Sequence, residues 1–199
     1  MDFGYNDENK STFQVILHEW PILVIGIIAA LLLGFLAATF GMEKVQMSGG
    51  SMEPILQEGD TILVNKMSYL VFSPKRNDVI VFREEGKEHS YNSIKRVVGL
   101  PGETIQIIDG ALYINGEKHE EKNVVDSMVT AGVAEEAITL EAGEYFVLGD
   151  NRNQSEDSRY SSVGMVTKKE IVGKAWIRTK PSFGFVNWFS YDGKKEEME

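Results

Sequence analysis

The stretch Trp20–Phe40 holds 21 residues and no charge, and it constrains the fold more than any other segment. As a helix rising about 1.5 Å per residue it is about 31 Å long, the thickness of a bilayer's hydrocarbon core. A helix of that length in a soluble core carries a polar face, and this one has none. A cleavable leader needs a basic start, an apolar stretch of about 7–15 residues and an Ala-x-Ala-like end. Here Asp2, Asp7, Glu8 and Glu19 precede the run against Lys10 alone, and Leu36–Phe40 offers no Ala-x-Ala. The expectation is a retained transmembrane anchor over residues 20–42, behind a polar segment, 1–19. Lys10 and Lys44 flank it evenly, so the positive-inside rule assigns no orientation.

Residues 43–190, beyond the anchor, have the size of one domain. Their pattern is short β-like runs separated by Gly, Asn, Asp and Pro. Thr61–Val64 alternates after Gly59-Asp60. Val79–Phe82 is an unbroken apolar run, as in a strand buried on both faces. Thr104–Ile108 and Ala111–Ile114 flank Asp109-Gly110, the signature of a hairpin with a type I′ turn. Tyr145–Leu148 and Lys174–Arg178 complete the strands. Helical periodicity surfaces only around Val129–Ala137. The fold class expected is mostly β and antiparallel. Residues 117–143, rich in Glu and small side chains, read as a peripheral insertion, and 191–199 as a charged, solvated tail.

Several function classes drop out. A net charge of −10 without a basic stripe excludes nucleic acid as a partner. Cysteine is absent, which removes disulfides, thiol catalysis and thiolate metal sites. His18, His89 and His119 match no metal-ligand spacing, so neither a metal nor another cofactor is expected.

Three polar clusters carry chemistry. In Ser48-Gly49-Gly50-Ser51-Met52-Glu53-Pro54, two glycines before a serine let the backbone come close to a substrate. Read by itself the segment is first a juxtamembrane linker. It is not a Gly-x-Ser-x-Gly elbow, since Glu53 stands at the last glycine position. Ser93–Glu103 places Lys95 between Ile94 and Arg96. A lysine on a strand is usually a snorkelling surface residue, but in a dry site its charged form is disfavoured and it becomes a usable base. Gly149–Arg159 follows a strand and is dense in hydrogen-bonding side chains, as many solvated loops are.

In this order behind an N-terminal anchor, the three clusters resemble the bacterial type I signal peptidases, in their short Gram-positive-like form. The resemblance covers the anchor and nearly all of residues 45–178. It includes Lys75-Arg76-Asn77-Asp78-Val79-Ile80-Val81-Phe82, similar to the family's basic-Gly-Asp strand. It implies a membrane-anchored serine endopeptidase in which Ser51 attacks the scissile carbonyl and Lys95 takes its proton. Ser155 would hydrogen-bond and orient the lysine amine, Asp157 and Arg159 would pair in support, and Asp150 would pair with Arg96. Gly149 would let the loop pass close to Ser51 and Lys95. The fold implied is a β-rich catalytic core with a small β insertion at about 103–143, on the extracytoplasmic face of the cell membrane. The substrate implied is an exported preprotein, bound as an added β-strand and cut after small residues at positions −1 and −3. Met52, Leu56 and Ile94 are the expected pocket walls, and the lipid bilayer and the secretion translocon are the other partners implied.

The chain departs from that pattern in three places. Gly49 stands where some members carry an oxyanion-binding serine, so the backbone N–H of Ser51 must do more. Asn77 replaces the glycine before Asp78, and Asn153-Gln154 replaces the more usual Asp-Asn. Eleven residue steps separate Phe40 from Ser51, a reach of at most about 36–40 Å, which leashes the nucleophile to the bilayer surface. The rival readings are a Ser-His hydrolase using His89, a self-cleaving Ser-Lys protease and a non-catalytic binding domain. His89 lies in a polar stretch that reads as an exposed hairpin tip, no DNA-binding segment is present, and a binder has no need of Ser51, Lys95 and Ser155 together.

Overall fold

A computed structural model describes residues 8–84, 92–121 and 126–186. Residues 1–7, the His89 stretch and the tail 191–199 lie outside them. The chain divides into two compact units, Met1–Gly41 and Met42–Glu199.

The first unit is one helix, α1 (Glu8–Gly41). Its described side chains are those of residues 20–35, 39 and 41. Trp20, Ile25, Leu31 and Phe35 are each about two-thirds exposed, and Val24 alone in 20–35 is half-buried. Among the described residues no helix is long and apolar enough to cross a membrane.

The second unit is mostly antiparallel β. It comprises β1 (Met42–Gln46), β2 (Thr61–Asn65), the short helix α2 (Ser68–Val71), β3 (Val79–Arg83), β4 (Asn92–Gly99), β5 (Thr104–Ile108), β6 (Ala111–Ile114) and β7 (Glu117–Lys118). After these come β8 (Ile138–Thr139), β9 (Glu144–Leu148), β10 (Val166–Thr167), β11 (Ile171–Lys180) and β12 (Gly184–Phe185). The larger sheet runs β1-β2-β11-β3-β4-β9-β10, with β12 also on β11, and the smaller runs β7-β6-β5-β8.

Burial explains why the central strands lack alternation in sequence. On β3, Val79 and Val81 pack with Met52, Leu56, Ile62 and Ile94, while Ile80 and Phe82 pack on the other face with Val97, Tyr145 and Val147. β9 is divided in the same way, Phe146 and Leu148 entering a third cluster with Ile105, Leu112 and Leu140. Two buried faces require an apolar residue at every position. The β5–β6 turn has positive φ at both Asp109 (51°) and Gly110 (75°), as a type I′ turn demands.

The insertion differs from expectation in two respects. Residues 117–143 are not peripheral, because Met128, Ala134 and Leu140 are buried in the cluster that Phe146 and Leu148 share. The helical hint at Val129–Ala137 shrinks to one 3-10 turn, Gly132–Glu135. Gly132 sits at φ +57°, and a Cβ there would collide with the carbonyl of Arg159. That packing fixes the backbone more strongly than local periodicity does.

Candidate active site

Ser51 lies in a tight turn within a loop closed at its base. Met47 N–H donates to Asp60 O at 2.8 Å and Gly59 N–H to Met47 O at 2.9 Å, so both ends are tied together. Gly49, two residues before the serine, has φ +72°. A side chain there is strained by about 1–2 kcal/mol, which gives a physical reason for glycine where a serine donor stands in some relatives of the pattern.

Lys95 reaches this turn from β4, paired across β3 with Ile80. Its Nζ donates to Ser51 Oγ at 2.7 Å. The lysine is 6% exposed, and this burial pushes its pKa down from the ordinary lysine value. Asp157, Glu84 and Glu156 oppose that shift, and Arg159 adds to it. Desolvation wins, leaving an amine that gives up its proton more readily than a free lysine and stands in contact with a hydroxyl.

The loop after β9 brings the remaining polar residues together. Asp150 receives two bonds from Arg96, Nε to Oδ1 at 2.7 Å and Nη2 to Oδ2 at 2.6 Å, and both side chains are buried. Asp157 and Arg159 form a second two-point pair at 2.8 and 3.0 Å, with neither side chain exposed. Asp157 Oδ2 also accepts the Gly149 N–H at 3.1 Å. Ser155 is brought to the site, but its hydroxyl makes no hydrogen bond among the described residues, so the expected bond to the lysine amine is not made. The hydroxyl is instead packed against the α-carbon of Gly149, beside the carbonyl of Ser51.

Gly149 is the point of closest approach between the loop and the serine turn. A Cβ there would collide with Ser155 Oγ and stand 2.5 Å from Ser51 O. Both contacts are far below van der Waals distance, so either the loop or the serine turn must move. Gly149→Ala should therefore lower the rate of peptide cleavage by about 10²-fold or more, the usual effect of an ångström's misplacement. Wild-type turnover in that variant, measured on the full chain, would show that the close approach is irrelevant to the chemistry.

Ser51 and Lys95 open into a cleft of about 260 Å³, lined also by Met47, Ser48, Gly49, Ile94 and Gln154. Of the expected pocket walls, Ile94 lines it. Met52 and Leu56 do not: both are fully buried in the core beneath the turn. Their substitution would register chiefly as lost stability, about 2–5 kcal/mol for truncation to Ala, because a buried methionine or leucine leaves a cavity.

Four sets of contacts were not anticipated from sequence. Arg152 is buried, holds Gly149 O through Nε at 3.0 Å and binds Glu121 of the insertion through both terminal nitrogens at 2.5 Å. Asn153 reaches the same segment, accepting from Val129 N and donating to Ser127 O, while Arg159 Nη1 donates to Thr130 O at 3.2 Å. Asp78 gathers Tyr69, the Lys75 N–H and Lys174, beside an Asn77 whose φ of +70° only Gly, Asn or Asp adopts readily. Glu84, buried at the cleft wall, accepts from Ser93. The density of Asn and Arg after a strand signalled that the loop at 149–159 is ordered, but distant partners such as Glu121 leave no local trace. Among the described residues no cluster of His, Asp or Glu is placed to hold a metal ion.

The chain is similar in sequence to several known proteins. The sequence profile described as signal peptidase, peptidase S26, matches residues 19–179. The chain is 36% identical to a signal peptidase I of Bacillus licheniformis, over 83% of this chain and 90% of that one. It is also 36% identical to signal peptidase I P of Bacillus subtilis subsp. natto, over 85% and 91%. A crystal structure of a signal peptidase I from Enterococcus faecalis V583 aligns with a TM-score of 0.43 and 33% identity, over 52% of this chain and 97% of that one.

Proposed function

The chain belongs to the signal peptidase family, peptidase S26, and on that premise we propose how its residues carry out the reaction. A family member is a serine endopeptidase that removes signal peptides from preproteins. In this chain Ser51 is the nucleophile and Lys95 the general base. One observation carries the assignment: a buried lysine amine 2.7 Å from a serine hydroxyl at the wall of a cleft.

The neutral amine of Lys95 takes the Ser51 proton as Oγ attacks the scissile carbonyl carbon. The resulting ammonium gives that proton to the departing amine, which leaves as the new N-terminus of the mature protein. The signal peptide then stays as an ester on Ser51. Water, deprotonated by the same amine, attacks the ester; the ammonium then returns its proton to the departing Ser51 Oγ, and the signal peptide leaves as a carboxylic acid that ionises in water. Gly49 has no side-chain donor, so the backbone N–H of Ser51 faces the developing oxyanion. The paired charges Arg96–Asp150 and Asp157–Arg159 hold the loop, and Gly149 lets it pass.

The substrate lies along β4. Residues Asn92–Lys95 pair with β3 on one edge, whereas β9 begins to pair only at Arg96, which leaves, among the described residues, a short open edge beside the serine. A peptide added there gains main-chain hydrogen bonds. The cleft is smaller than the usual range of about 300–1,000 Å³ for ligand pockets, which favours small side chains at positions −1 and −3. Helix α1 serves as the membrane anchor, a reading supported by its uncharged run and by exposed apolar side chains that lipid would cover. The catalytic unit then works on the extracytoplasmic face, at the bilayer surface and beside the secretion translocon.

The full chain in detergent should cut a test preprotein after Ala-x-Ala and leave one with bulky residues at −1 and −3 intact. Only the neutral amine is a base, so the rate should fall as pH drops through an ionisation lying below the ordinary lysine value of about 10.4. A rate with no such limb would sink the assignment of Lys95.

A further inference from the structure

The loop after β9 becomes extended as it leaves the 3-10 turn Arg152–Gln154, with Ser155 at φ −129° and ψ 127°. Extended backbone sends successive side chains to opposite sides, and burial follows that period. Ser155 and Asp157 are buried, whereas Gln154 and Glu156 are exposed. Asp157 is fixed by its two-point pair with Arg159 and by the Gly149 N–H. The exposed members are held with it, and both line the cleft of Ser51 and Lys95.

Among the described residues two carboxylates line this cleft, and Glu156 is the accessible one, since Glu84 is buried and bonded to Ser93. Glu156 accepts a bond from Ser162 Oγ at 2.5 Å, which steadies its carboxylate and leaves the charge in place. No ion pair engages it among the described residues. Its place relative to the scissile bond follows from the chemistry. Lys95 hands its proton to the departing amine, and that nitrogen belongs to the first residue of the mature protein. Glu156 is the neighbour of Ser155 in the chain, and its charge reaches the Lys95 amine. A group so close to the proton donor is also close to the chain that receives the proton.

We propose that Glu156 is a specificity-determining residue: its carboxylate at the cleft rim favours preproteins whose mature part opens with basic side chains and disfavours those that open with acidic ones. Small residues at −1 and −3 remain the condition for entry, because the cleft of about 260 Å³ has no room for a long side chain. Glu156 ranks the preproteins that meet it. The rim is open to water, so the charge selects by a few-fold and never absolutely. The inference rests on reading Ser51 and Lys95 as the catalytic pair.

The test is a competition, in one reaction with the full chain in detergent, between two test preproteins. Both carry Ala-x-Ala before the cut, and they differ only in Lys-Lys or Glu-Glu at positions +1 and +2. The ratio of their kcat/KM values reads the selection and cancels any general loss of activity. Wild type should favour the Lys pair by roughly 3–10-fold at low salt, and by less as salt screens the exposed charges. Glu156→Gln should cut that ratio at least two-fold, and Glu156→Lys should reverse the preference. Glu156→Asp, which keeps the charge, should retain most of it. A ratio that neither Glu156→Gln nor Glu156→Lys changes overturns this inference and leaves the catalytic pair standing. So does a charge preference that follows position −2 rather than +1 and +2. Undiminished cleavage of both preproteins by Lys95→Met overturns the catalytic reading and this inference with it.

Discussion

Lys95→Met should fold, resist urea at pH 7 at least as well as the parent chain, and cleave a test preprotein roughly 10⁴–10⁶-fold more slowly. The two halves of that result have one cause. Burial disfavours the ammonium, so the folded state binds fewer protons than the unfolded state between the depressed folded pKa and the free lysine value. Within that window stability rises with pH, and below it the full cost of holding a buried cation remains. Methionine has a similar length and no charge, so it removes the cost along with the base. Ser51→Ala should lose as much activity, and the double variant should be no slower than either single one, because the pair acts as a unit. His89→Ala should cleave normally. Activity in Lys95→Met within about tenfold of wild type would be incompatible with the lysine as base.

The second large effect is on stability. Asp157→Ala leaves the Arg159 guanidinium, which has no exposure to solvent, without its counter-charge and takes an acceptor from the Gly149 N–H. Breaking a buried pair from one side costs about 3–5 kcal/mol, against a total of about 5–15 for a typical domain. With a slope near 2 kcal/mol/M, the urea midpoint should fall by roughly 1.5–2.5 M. Arg159→Met added to Asp157→Ala should recover much of the loss, since two apolar side chains leave no stranded charge. An unchanged midpoint in the single variant would mean that water reaches the pair.

How much of this was legible in sequence depends on how local each determinant is. Strand β3 was legible because two buried faces impose an uninterrupted apolar run on Val79–Phe82. The β5–β6 hairpin was legible because Asp109-Gly110 supplies its own turn chemistry. Ser51 and Lys95 were not legible one at a time: a serine among glycines reads as linker and a strand lysine as surface. Only their order along the chain singled them out, and the 2.7 Å contact supplies the geometry. Of the expected pocket walls Ile94 lines the cleft, whereas the tight turn directs Met52 and Leu56 into the core, a matter of packing that leaves no local trace in sequence. Asn77 is a departure that the backbone explains, as its left-handed φ accepts asparagine nearly as readily as glycine. The bonds from the loop to the insertion left no signal, because Glu121 and Arg152 meet across 31 positions of chain.

That last contact bears on how such enzymes can be recombined. Four residues of the insertion grip the loop that holds Ser155, through Glu121–Arg152, through Asn153 on Ser127 and Val129, and through Arg159 on Thr130. The insertion and the loop are therefore one heritable block. A hybrid that exchanges residues 103–143 with a cousin while keeping 149–159 would join a clasp to the wrong buckle, whereas a hybrid that moves both segments together keeps the reacting groups in register.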